Sequence, residues 1–153
     1  MAGLMIVCGD DCQHTCDPFL TPIRHFEWYL KCMDPERLLV VSGTLLLAVS
    51  ALLGFVQHRH RKQPDAFALW RVVHAGGAAG ALQLLALAAV WQNFARGPAI
   101  TLLAIALVAA TYAFFLGPLA RALQRPRIAG AILAVGGAVA LPTYIALPIA
   151  LLL

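Results

Sequence analysis

Apolar residues run along this chain in four long stretches, and the charged residues are confined to the segments around them. The first stretch, Leu38 to Val56, is interrupted only by Ser42, Thr44 and Ser50, whose hydroxyls can bond back to a helix backbone. The second runs from Val72 to Trp91, the third from Ala99 to Leu119 and the fourth from Ile128 to Leu153. Each is near or above the roughly 20 residues that a bilayer crossing requires, and none contains Asp, Glu, Lys or Arg. Helices of a soluble bundle would each carry a charged stripe, so these segments are expected to be solvated by lipid. The pattern predicts an all-α fold: a four-transmembrane-helix bundle over residues 37–153, preceded by a short exposed or interfacial N-terminal segment, 1–36.

Composition agrees with this reading. Of the 153 residues, 61% are hydrophobic and 12% charged, with a mean hydropathy of +0.82, far more apolar than a soluble domain of this size. Four helices and short loops use up the length, so a single domain is expected. The net charge of +4 is a topology signal and not a nucleic-acid footprint, because the basic residues cluster at segment ends. Arg59, Arg61, Lys62 and Arg71 fall between the first two spans and Arg121, Arg125 and Arg127 between the last two, whereas Arg24, Lys31, Arg37 and Arg96 belong to the other side. By the positive-inside rule both basic loops face the cytoplasm and both termini do not.

The N-terminal segment is of a different kind. Cys8, Cys12 and Cys16, with His14 among them, would share a helical face and could hold Zn²⁺, although disulfides or incidental thiols fit the spacing better. Phe19, Phe26, Trp28 and Tyr29 could instead lie along the interface as an amphipathic anchor. Met33 directly before Asp34-Pro35-Glu36-Arg37 looks like a natural start for the first span. Metal transport is not indicated, since no Cys lies within a span.

Within the spans, His74 is the one strongly ionisable residue. Such groups are costly in hydrocarbon and therefore point to function. A neutral imidazole can ligate haem iron, carry a proton or bond a neighbouring helix. Ala75 to Ala81 follow as seven small residues, with Gly76 and Gly80 at GxxxG spacing. Close helix packing is the common use of such a run; the alternative is room beside His74 for a flat ligand, bordered by Gly77 and Gly80. Tyr112 and Thr111 on the third span are expected within roughly 5–8 Å of the depth of His74, counting about 1.5 Å per residue. Tyr144 and Thr143 lie between Pro142 and Pro148, where a bend is expected. Gln83, nine positions beyond His74, falls on the opposite helix face and suits interhelical bonding.

From Glu36 to about Leu119 the order of features resembles the small membrane isomerases typified by styrene oxide isomerase and hydroxylaminobenzene mutase. The resemblance is carried by Leu38-Leu39-Val40-Val41-Ser42-Gly43-Thr44-Leu45-Leu46-Leu47, by Trp70-Arg71-Val72-Val73-His74 with its small-residue run, and by an aromatic-bearing third span with Tyr112. It implies four spans and haem b held by His74; the small-residue run is expected to place Gly77 and Gly80 beside that cofactor, and the chain is expected in a bacterial inner membrane. It also implies Tyr112 facing a small hydrophobic aromatic substrate and isomerisation of an epoxide to an aldehyde, or of an arylhydroxylamine. The family has Asn six positions after the histidine; Gly80 stands there in this chain.

Two function classes therefore compete. One is an intramembrane haem-dependent isomerase, expected to be a homo-oligomer because a thin four-helix unit leaves small-residue faces uncovered. The other is a non-catalytic accessory or scaffold subunit of a membrane complex, with His74 as an interhelical bond. A transporter is disfavoured, since intramembrane carboxylates and a paired inverted repeat are both lacking.

Overall fold

A computed structural model describes residues 34–94 and 97–152, together with the side chains up to Ala150 outside that gap. The expectations for Cys8, Cys12, Cys16 and the aromatic anchor lie outside the described residues. The described residues form four long helices: α1 Pro35–Arg59, α2 Pro64–Val90, α3 Pro98–Ala122 and α4 Pro126–Leu152. A 3₁₀ turn, Trp91–Asn93, extends α2. All four helices are long and apolar enough to cross a membrane, and at 25–27 residues each they measure about 38–40 Å, against a hydrocarbon core of about 30 Å.

That excess length explains the one clear difference from the apolar pattern. α2 starts at Pro64, eight residues ahead of its apolar run, and carries Asp65 and Arg71 in helix that overshoots the hydrocarbon. Every helix begins with proline, at Pro35, Pro64, Pro98 and Pro126, where the missing N–H is one the helix could not have used and the fixed φ already suits it. Asp34 caps α1 by accepting from the Glu36 N–H and pairs with Arg37 at 3.2 Å. Of the α1 hydroxyls, that of Thr44 bonds back to the Val40 carbonyl at 2.8 Å, but Ser50 Oγ is fully buried without a partner among the described residues.

The helices form two antiparallel hairpins, α1–α2 and α3–α4, joined mainly where α2 and α1 meet α3. α4 packs chiefly on α3 and lies outermost. The buried face of α1 is Leu39, Gly43, Leu46 and Ser50, and that of α2 is Val73, Gly77, Ala81, Leu84 and Ala88. Steps of three and four place each set on one side of its helix. Small residues on both faces allow the backbones to approach, which substitutes in lipid for the hydrophobic driving force of a water-soluble bundle.

Both basic loops emerge at one end of the bundle, as the alternation of four antiparallel helices requires. In single-cysteine variants, position 63 is expected to label only from the cytoplasmic side and position 93 only from the opposite side. Labelling of both from one side would refute the four crossings.

Candidate functional site

The site is built on the α1–α2 crossing. His74 Nδ1 lies 2.7 Å from the Ser50 carbonyl oxygen of α1. A carbonyl can only accept, so Nδ1 carries a proton, and in the neutral tautomer the lone pair lies on Nε2. Nε2 has no hydrogen-bond partner among the described residues, and the ring is half-buried. An outer hydrogen bond that fixes the tautomer and orients the ring is the usual preparation of a histidine for metal ligation.

Gly54 makes the approach to this carbonyl possible. The α1 helix already assigns the Ser50 carbonyl to the Gly54 N–H, and the imidazole reaches the same oxygen across the bare Cα of Gly54. A Cβ there would lie 3.2 Å from His74 Cε1 and 3.4 Å from Nδ1. Gly54 was not among the residues expected at the site. Its signal is weak but present, a lone glycine in Leu52-Leu53-Gly54-Phe55-Val56.

The small-residue run divides by face. A Cβ on Gly77 would overlap Ser50 Oγ and come within 2.8 Å of the Phe115 ring, while one on Gly80 would be 2.7 Å from Thr111 Cγ2. Within one chain the space beside Gly77 and Gly80 is therefore filled by neighbouring helices. Gly76 has nothing within 4 Å of a Cβ, so the two glycines of the GxxxG pair do not act together: Gly80 meets α3 and Gly76 faces outward.

Tyr112 also turns toward α1, where its hydroxyl donates to the Ser42 carbonyl at 3.1 Å. The two α1 carbonyls used by His74 and Tyr112 are eight residues apart, about 12 Å along the helix, more than the depths of the two residues alone suggest. The cause is direction. Side chains lean toward the N-terminus of their own helix, and α2 and α3 are antiparallel, so His74 leans toward the basic end and Tyr112 away from it. Leu46, Val73, Ala81 and Phe115 form a buried cluster against which Tyr112 and Trp70 pack. Trp70, one turn before His74, stacks on His60 with ring centroids 6.1 Å apart and so covers the basic end of the crossing.

The remaining polar residues serve packing. Thr111 Oγ1 donates to the Leu107 carbonyl at 2.8 Å and Thr143 Oγ1 to the Val139 carbonyl at 2.6 Å. Gln83 bonds Tyr144 across α2 and α4, the interhelical role expected of it. α4 is one helix from Pro126 to Leu152 with Pro142 and Pro148 inside it. Tyr112→Phe is expected to cost about 1 kcal/mol or less, because the Ser42 carbonyl keeps its helical donor. Thermal unfolding in detergent measures this, and a loss several times larger would show that the hydroxyl anchors α3.

A chain of this design fits one known pattern. The sequence pattern of a family described as styrene oxide isomerase matches residues 35–153, from the first residue of α1 through α4. No curated protein and no solved structure matches the chain.

Proposed function

Because the chain belongs to the styrene oxide isomerase family, we propose that it isomerises small aromatic epoxides to aldehydes within the bilayer of a bacterial inner membrane, with arylhydroxylamines as a second substrate class. The observation that supports this reading best is His74, the one imidazole within an apolar run, presented with Nδ1–H on the Ser50 carbonyl and Nε2 without a partner among the described residues. That donor set suits haem b, and His74 Nε2 is the atom that would hold it. Bound there, the iron supplies a Lewis acid for the epoxide oxygen.

The chain's own contribution is position and dryness. Opening an epoxide and moving a hydride to the neighbouring carbon gives an aldehyde with no net redox change, and water at the site would divert it to a diol. Four apolar helices exclude that water. Tyr112 is the phenol we assign to the substrate. Its hydroxyl rests on a carbonyl that the α1 helix already supplies with a donor, so turning it toward a bound oxygen leaves no acceptor bare in hydrocarbon. The Ser50 carbonyl and Gly54 hold the imidazole in one orientation. A homo-oligomer is part of the reading, since Gly76, Gly130 and Gly137 leave open surface on α2 and α4.

The test is direct. Detergent-purified protein from haem-supplied cells is expected to show a Soret band and to convert styrene oxide to phenylacetaldehyde. Colourless protein without isomerase activity would remove this reading and leave the accessory-subunit alternative.

A further inference from the structure

At the basic end of the bundle each of the four helices contributes an arginine at the edge of its apolar run. Arg59 is the last residue of α1, Arg71 stands about two turns into α2, Arg121 is next to the last residue of α3 and Arg127 is the second of α4. Contacts between the helices fix their depths. A Cβ on Gly77 of α2 would meet Phe115 of α3, one on Gly54 of α1 would meet His74 of α2, and one on Gly117 of α3 would meet Leu133 of α4. Counting from these crossing points at about 1.5 Å per residue puts Arg71 and Arg121 level, with Arg59 and Arg127 about 3 Å farther out. Four arginines therefore share a band less than one helical turn deep.

None of the four is offered a carboxylate. No Asp or Glu stands three or four positions from any of them, where a pair along the helix would form. The only ion pair among the described residues, Arg37 with Asp34, is at the opposite end. Asp65, the acid described at this end, is six residues before Arg71 and near the start of α2. All four arginines are exposed. Immediately inside the band the surface is exposed and apolar: Phe55 lies one turn before Arg59, Val72 beside Arg71 and Ile128 beside Arg127.

The positive-inside rule asks only for cations on this side, not for a common depth. A guanidinium carries N–H donors in a planar fork that matches phosphate oxygens, and it has no acceptor of its own. We propose that this band is a binding site for anionic phospholipid, with the phosphate on the arginine forks and the acyl chains against Phe55, Val72 and Ile128. A soluble phosphate anion would leave the apolar half of the surface unused, and a zwitterionic lipid brings its own ammonium against the arginines. The inference is independent of the isomerase reading.

Native mass spectrometry of the full chain in detergent, titrated with phosphatidylglycerol or phosphatidylcholine, reads the binding. Phosphatidylglycerol is expected to bind saturably and about tenfold or more tighter than phosphatidylcholine, the gap closing as ammonium acetate is raised from about 0.05 M to about 0.5 M. Arg71→Gln combined with Arg121→Gln is expected to weaken phosphatidylglycerol binding about 25-fold, at roughly fivefold for each basic residue near the headgroups. Arg61→Gln combined with Lys62→Gln removes the same charge from the loop beyond the band, and its loss is expected to stay below about fivefold. Equal losses in the two paired variants would overturn the proposal, since they would show attraction to surface charge in general. Equal affinity of the wild type for the two lipids, or a preference that salt does not reduce, would overturn it without any variant, so the test survives a variant that fails to insert. Displacement of the lipid by about 10 mM inorganic phosphate would overturn it in favour of a soluble anion.

Discussion

His74→Ala is expected to give a folded, colourless protein with no measurable isomerisation of styrene oxide. Insertion should survive, because the substitution removes a single interhelical hydrogen bond, from Nδ1 to the Ser50 carbonyl, and such bonds in membrane proteins contribute about 1 kcal/mol. The Ser50 carbonyl keeps its partner in α1, so no buried acceptor is orphaned. Loss of Nε2, by contrast, takes away the one ligand the span offers. Its effect on haem retention is expected to exceed the roughly 10–100-fold that follows removal of a ligand's outer hydrogen-bond partner. Absorbance of wild type and variant purified side by side, with a size-exclusion profile as the control for folding, reads both quantities. A His74→Ala protein that keeps its Soret band and activity would show that the ligand is elsewhere.

Gly77→Val is expected to produce the largest loss of stability of any single substitution in the small-residue run. The first new carbon already overlaps Ser50 Oγ and comes within 2.9 Å of two atoms of the Phe115 ring. Ser50 is fully buried and Phe115 belongs to the buried cluster, so neither can yield without moving a helix. Overpacking of this kind costs about 1–3 kcal/mol, and separating α1 from α2 also withdraws the Ser50 carbonyl from His74. Thermal stability in detergent should fall together with haem retention. Gly76→Ala, one position earlier and facing open space, should leave both unchanged. Equal stability of the two variants would mean that the α1–α2 crossing is not as close as described.

The amino-acid sequence alone discloses the four spans, the placing of both basic loops at one end of the bundle, and His74 as the residue whose place in hydrocarbon needs a reason. These are properties of composition along one dimension: a segment without charge, of sufficient length, partitions into lipid whatever its neighbours are. The interhelical role of Gln83 is legible for a related reason, since half a turn of helix separates it from His74 irrespective of packing. The start of α2 is harder to see. Asp65 and Arg71 end the apolar run, yet helix continues through them, and the proline that opens every helix is the better marker.

What only the tertiary structure decides is where each side chain ends. Depth counting brings His74 and Tyr112 close together, but antiparallel helices aim their side chains in opposite directions, and the two come to rest about 12 Å apart on α1. The run from Ala75 to Ala81 reads as one feature, yet Gly77 is pressed against Ser50 and Phe115, Gly80 against Thr111, and Gly76 against nothing. Gly54 gains its meaning from an imidazole twenty positions away in the chain. Hydropathy along the sequence determines that these helices form and cross the bilayer. Which faces meet is set by the fit of small residues between helices, a condition on pairs of segments that no single segment carries.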